Sequence, residues 1–315
     1  MQREPIDEAI RDPRHPEDVR RLLGLVAEVR EYAKVLGLDV GGQYTSYVDW
    51  PDDRIVTTLV RTRQGSLDSV PWWFPVVGHL PYKGYFDRER AEAAADELRE
   101  DGEFEVCVSA VTAYSTLGWL NDPVTRPMLA RGPASLVETL FHELVHATAF
   151  LPGYADFNEG VAQFIGQQAT IEFFAGLPKA AGEGAWPSAA RVRSGITDRT
   201  LIAETTLDFR EQLVELEGTP DRAALRTAAE VEARAALAAL PLSVIDAARV
   251  AEKSRLSDAC LALRGTYLQD LPRHAEVFSA LGGDLRQMID RLRRFADDAR
   301  ESEAFFDVAD IAATP

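Results

Sequence analysis

Within Phe141-His142-Glu143-Leu144-Val145-His146, two histidines stand four residues apart with a glutamate beside the first. On a helix this spacing stacks both imidazoles on one face, one turn apart. Two neutral imidazole nitrogens then meet one Zn²⁺ ion, with the carboxylate held over the water that the ion acidifies. The chain has only five histidines in 315 residues, so the pattern is not a casual one. The segment has to be helical, with its histidines held mid-helix.

The flanks supply a start and a stop. Ser135 followed by Glu138 reads as a capping box, with Ser135 as N-cap. Leu136, Val137, Leu140, Leu144, Val145 and Ala149 give an apolar face for packing. Pro152-Gly153 ends the helix, since proline lacks the backbone donor and glycine accepts a left-handed turn. A catalytic zinc takes three protein ligands and keeps one position open. Beyond the turn, Asp156 or Asn158 caps a second helix and Glu159 falls in its first turn, within reach of the histidine pair across a short hairpin. Glu159 is therefore the expected third ligand; the competing reading is an acid complementing a helix dipole. Asp156 is left as a ligand, an orienting partner of a histidine, or a cap.

Composition bounds the rest. With 46% hydrophobic residues, the chain can bury a sizeable core in one domain or in two packed parts. It has no run of eighteen apolar residues and its first thirty are charged, so a membrane span and a signal peptide are both unexpected. A net charge of −17 argues against nucleic acid. Cys107 and Cys260 are too few for a disulfide framework and lack metal-ligand spacing. Cys107, inside the alternation Phe104-Glu105-Val106-Cys107-Val108, reads as a core residue of a strand.

Along the chain, residues 17–36 have helical periodicity, stopped by Gly37. Residues 44–48, 54–60, 72–77 and 104–110 are β-prone, and a helix over 87–100 precedes Asp101-Gly102. After the metal-binding helices and a Gly/Ala/Pro-rich connection at 177–187, long helices at 199–217 and 220–240 flank Gly218-Thr219-Pro220 as an antiparallel pair. The alanine-rich stretch 223–239 is a strong helix former and reads as scaffold. The expectation is an α+β chain with a small mixed sheet in its N-terminal half, a central metal-binding helix and a long-helix C-terminal half. Residues 1–176 carry the sheet and metal helices, and 177–315 complete the cleft, as two parts or one domain.

The chain resembles the predicted bacterial zinc aminopeptidases, whose members carry His-Glu-Leu-x-His on one helix and Asn-Glu at the start of the next. The likeness includes Arg3-Glu4-Pro5-Ile6, Gly42-Gln43-Tyr44-Thr45-Ser46-Tyr47 and Trp72-Trp73-Phe74-Pro75-Val76-Val77-Gly78. It continues through Pro81-Tyr82-Lys83-Gly84-Tyr85-Phe86, Tyr114-Ser115-Thr116-Leu117-Gly118-Trp119 and Gly282-Gly283-Asp284-Leu285, and so spans almost the whole chain. It implies a zincin-like metallopeptidase fold, a Zn²⁺ cofactor and a peptide or protein substrate. Two departures stand out. The family usually has cysteines where this chain has Trp73 and His79, which implies that a disulfide of an oxidising compartment is missing here. Many members begin with a lipoprotein signal as cell-envelope proteins; this chain opens directly at the Pro-Ile segment, either trimmed or made without export.

The site implies a mechanism. Glu143 takes a proton from the zinc-activated water, the water attacks a polarised peptide carbonyl, and Glu143 returns a proton to the leaving amine. The oxyanion needs a further donor: Tyr267 is preferred over Tyr114, against the alternative of tyrosines bonded to backbone. The segment 104–114 reads either as an edge strand for extended substrate or as a core strand, and 71–86 as a cleft wall or a covering loop. His79, His15 and His274 are left out of the site. Asp122, Glu138 and Asp156 are the carboxylates weighed for the substrate amine, with endopeptidase action left open. Two alternatives stand beside the peptidase: a metal-dependent hydrolase of non-peptide amides or esters, and a metal-stabilised interaction protein.

Overall fold

A computed structural model describes residues 3–75, 78–112, 121–178, 186–262, 270–298 and 301–308. The first elements are β1 (Glu4–Pro5), α1 (Ile6–Ala9), α2 (Glu17–Leu36), β2 (Ser46–Val48), β3 (Val56–Arg63), β4 (Trp72–Phe74), β5 (Gly78–Leu80) and β6 (Tyr82–Tyr85). Next come α3 (Arg88–Asp101), β7 (Phe104–Val111), β8 (Val124–Thr125), α4 (Arg126–Ala130), α5 (Pro133–Thr148) and α6 (Ala155–Gly176). The last are α7 (Ala189–Glu215), α8 (Arg222–Ala239), α9 (Ala247–Lys253), α10 (Asp258–Leu261), α11 (Leu271–Ala280), α12 (Leu285–Asp297) and a 3-10 turn at Ser302–Phe306. The class is α+β, dominated by helix, with small sheets. No helix among the described residues is long and apolar enough to cross a membrane.

Two compact units interleave along the chain, rather than following the linear division at residues 176 and 177. One comprises Met1–Asp53, Ala113–Arg193 and Gln269–Pro315; the other comprises Arg54–Thr112 and Ser194–Leu268. In the first, α2 buries Leu23, Val26, Val29 and Ala33 and ends at Gly37, whose φ of 90° closes the helix in a left-handed cap. Its Tyr32 packs edge-on against Phe141 of α5 and Phe173 of α6, with centroids 6.0 and 5.7 Å away. Helix α6 is buried on most of its circumference, as expected for a helix apolar all round. Behind it, Phe157, Phe164, Phe305 and Phe306 surround His274. The sheet of this unit is small and mixed: β2 pairs antiparallel with β1 and parallel with β8.

In the second unit β3 lies between β6 and β7, antiparallel to both. Ala91 and Ala95 of α3 pack on Leu59, and Asp87 caps α3 by accepting from the Arg90 N–H. Phe209 and Leu213 of α7 share a core with Ala233 and Leu237 of α8 and with Ala251 of α9. The buried Asp198 carboxylate accepts the N–H groups of Ser243, Val244 and Ile245, which ties α7 to the segment before α9. β7 is an edge strand, and the Arg255 guanidinium occupies its Val108 carbonyl.

The cysteines correct an expectation. Cys107, buried in β7 as anticipated, is disulfide-bonded to Cys260 of α10, with Cα atoms 5.0 Å apart. Two cysteines 153 residues apart give no local spacing signal, so only the tertiary fold pairs them. Trp73 and His79 face each other directly across the β4–β5 hairpin, a register at which cysteines would meet.

Candidate metal centre

Helix α5 begins two residues before the expected cap. Gly132 precedes it at φ 84°, a conformation that suits glycine, and Pro133 fills the first position, where a backbone donor is not missed. Ser135 lies inside the first turn, and Glu138 accepts instead from Gln163 Nε2 at 2.9 Å. The helix ends at Thr148, ahead of Pro152, because Ala149 is extended.

Helix α6 starts at Ala155 without a side-chain cap. Asn158 serves the turn rather than the helix end. Its Oδ1 accepts from the Leu151 N–H at 2.9 Å, and its Nδ2 donates to the Leu151 carbonyl at 2.8 Å. This buried reciprocal pair fixes the reversal between the helices, and with it the rotation at which Glu159, the next residue, is presented. Gly166 lets the helices approach: a β-carbon there would lie 3.2 Å from the His142 nitrogen and 3.3 Å from the Glu138 oxygen. Residues 159, 163 and 166 share one face of α6 by helical spacing, so this face carries an acidic group, a hydrogen bond and the close contact.

Three side chains converge there. His142 Nε2 and His146 Nε2 are 3.1 Å apart; Glu159 places Oε2 3.2 Å from the first and Oε1 3.5 Å from the second. Burial raises the Glu159 carboxyl, but hydrogen bonds from both histidines outweigh it and bring the group down to about 2. Burial opposes charge on His142, yet its bond to Glu159 and the charges of Glu143, Glu159 and Glu138 push it above its ordinary value. The cluster thus presents an ionised carboxylate and two imidazole nitrogens that one cation can bridge. His146 Nδ1 is buried without a partner among the described residues, and the Phe150 ring stands edge-on at 6.5 Å.

Glu143, half-buried beside His142, directs its charge at both His142 and the buried Tyr44 phenol. Asp156 is exposed in the first turn of α6, outside the triangle. Of the other carboxylates weighed for an amine, Glu138 is engaged by Gln163, and buried Asp122 lies under the turn at 43–44, its N–H donated to Gln43 Oε1 at 2.8 Å. Tyr267, Tyr114 and the segment through Trp119 lie outside the described residues. His15 bonds Glu4 at 2.8 Å and packs on Tyr47; Asp12 next to them is already held by the Arg14 side chain and N–H. His79 is exposed on β5. Sequence reasoning missed Gly166, Gln163 and the turn-fixing role of Asn158; the one available signal was a glycine inside an apolar helical run.

A family model described as "Putative aminopeptidase" matches residues 1–305. Searches of curated proteins and of solved structures give no match.

Proposed function

The chain belongs to the aminopeptidase family described by that match, and on this premise we propose that it is a zinc-dependent aminopeptidase of the zincin-like kind. The ligand triangle carries the reading. A tetrahedral zinc with bonds of about 2.0–2.1 Å spaces its ligands about 3.3–3.4 Å apart, and the three separations of 3.1, 3.2 and 3.5 Å bracket that value. Two imidazoles and a carboxylate suit zinc among divalent ions, and three ligands leave a fourth position for chemistry.

When bound, zinc supplies Lewis-acid polarisation of a carbonyl and acidifies a water molecule. The chain does the rest. His142, His146 and Glu159 hold the ion on two helices whose spacing Gly166 and Asn158 set. Glu143 receives the proton of the attacking water on its carboxylate and passes it to the leaving amine nitrogen. Tyr267 keeps its proposed role as a donor to the developing oxyanion. The reading is tested by metal content and by hydrolysis of paired free and N-acetylated peptides. Wild type and Glu143→Gln are expected to hold one zinc each, with only wild type cleaving and only free N-termini cleaved; His146→Ala and Glu159→Ala lose the metal. Zinc without peptide cleavage overturns the peptidase reading, and Glu159→Ala with undiminished zinc affinity overturns the third ligand.

A further inference from the structure

Helices α5 and α6 are joined by residues 149–154. Across the two helices and this connection, the only exposed large apolar side chains among the described residues are Phe150 and Tyr154. Both stand in the connection, Phe150 four positions after His146 and Tyr154 five before Glu159. A single phenylalanine on a surface calls for no explanation. Phe150 differs in its neighbour: it is 40% exposed, yet its ring meets the ring of the ligand His146 edge-on, with centroids 6.5 Å apart.

The backbone on both sides of Phe150 is fixed. Ala149 is extended, at φ −156° and ψ 135°, and its N–H donates to the Val145 carbonyl at 3.0 Å. Leu151 has its N–H and carbonyl both bonded to the Asn158 amide. Successive side chains of an extended segment point to opposite sides, so with Ala149 and Leu151 buried, Phe150 is turned outwards. A phenyl group is thereby held in solvent while the Ala149 methyl takes the buried place, although the larger group gains more from burial. The ligands open to solvent as well: the Glu159 side chain is 32% exposed and that of His142 17%. An apolar surface and the ligand triangle are therefore reached together from outside.

We propose that Phe150 is a specificity-determining residue, its ring forming the apolar wall of a subsite that takes a bulky apolar or aromatic side chain flanking the scissile peptide bond. The assignment rests on the peptidase reading above. With a substrate carbonyl at the position that three ligands leave open, the residues on either side of the scissile bond come within a side chain's length of His146, where Phe150 stands. Contact there removes two apolar surfaces from water at once. An aromatic substrate side chain adds edge-to-face packing on the ring, whereas an alanine is too short to gain much and an aspartate finds no donor on the phenyl group.

The test measures kcat/KM of zinc-loaded wild type, Phe150→Ala, Phe150→Leu and Val35→Ala on two peptide series. One varies the N-terminal residue and the other the residue after it, each through Ala, Leu, Phe and Asp. Zinc content, melting temperature and peptide binding to Glu143→Gln, with and without Phe150→Ala, complete the set. Wild type is expected to favour Leu and Phe over Ala by at least about tenfold in one series, which also tells on which side of the bond the subsite lies. Phe150→Ala is expected to shrink that preference about tenfold and to weaken binding of the favoured peptide to Glu143→Gln about as much, while retaining zinc and its melting temperature. Phe150→Leu keeps most of the preference, and Val35→Ala, which trims an exposed apolar side chain of α2, keeps all of it. The assignment is overturned if wild type has no apolar preference in either series or if Phe150→Ala preserves it. Loss of zinc in Phe150→Ala overturns it too, since that marks the ring as packing for His146. If instead wild type cleaves no peptide, or Glu143→Gln cleaves as well as wild type, the peptidase reading itself fails and takes this assignment with it.

Discussion

Replacing Gly166 with alanine sets two effects against each other at the interface that holds the ligands. Alanine is favoured over glycine inside a helix by about 1 kcal/mol. At Gly24 in α2, where a β-carbon would meet nothing within 4 Å, that gain is expected undiluted. At Gly166 the new methyl lands 3.2 Å from the His142 nitrogen, 3.3 Å from the Glu138 oxygen and 3.4 Å from the His142 Cα. All three are backbone atoms, so no rotamer change relieves the contact. Restoring a separation of about 3.5–4.0 Å parts the helices by several tenths of an ångström. Overpacking of this kind costs about 1–3 kcal/mol, which leaves a net destabilisation of about 0–2 kcal/mol after the propensity gain. The ligand triangle has less tolerance, because a metal site accepts about 0.2 Å of error in each bond. Zinc affinity is therefore expected to drop at least about tenfold, equivalent to about 1.4 kcal/mol, while Gly24→Ala raises the melting temperature and leaves affinity alone. Competition against a chromogenic chelator, with melts of the metal-free proteins, reads both quantities. Wild-type zinc affinity in Gly166→Ala, with a melting temperature as high as that of Gly24→Ala, refutes the close-packing argument.

Burial pushes His274 down to about 4, whereas the unfolded chain titrates near its ordinary value of about 6.5. Its contribution is complete above pH about 6.5 and fades as pH falls towards 4, by about 3 kcal/mol in all. Urea titrations across that range should show this loss in wild type and not in His274→Phe; the same slope in both proteins counts against it. Opening the bond between Cys107 and Cys260, 153 residues apart, relieves a loop-closure constraint whose chain-entropy value is about 5 kcal/mol, with about 2–4 kcal/mol the usual measured range. The denaturation midpoint of the double alanine variant should fall accordingly, and an unchanged midpoint contradicts the pairing. Asn158→Ala leaves the Leu151 N–H and carbonyl unpaired in a buried turn, at about 1–3 kcal/mol each. It should weaken zinc binding, with Asn158→Asp recovering part of the loss; equal affinity in all three proteins would separate the turn from the site.

What was legible in the sequence was local. The pattern over residues 17–36 with Gly37 behind it and the helix over 87–100 depend on neighbours within a few positions, and both appear where expected, whereas His146, expected mid-helix, falls in the last turn of α5 because that helix starts and stops early. The start of α5 was misplaced because two local signals competed, and Gly132-Pro133 prevailed over Ser135-Glu138. Strands β1, β5, β6 and β8 have two to four residues each, too few for an alternation to emerge, and they exist because a partner strand lies alongside. Asn158 stands in the sequence only as an alternative to Asp156 for the helix cap, since nothing nearby shows that Leu151 needs both of its hydrogen bonds met.

The Cys107–Cys260 bond also changes what kind of object the polypeptide is. It makes the chain a covalent ring with two tails, and His142, His146 and Glu159 all lie on the ring. Each compact unit is assembled from both ring and tail segments. A single backbone break anywhere between residues 107 and 260 therefore releases no fragment, and the nicked protein migrates as one species until a reductant separates the pieces.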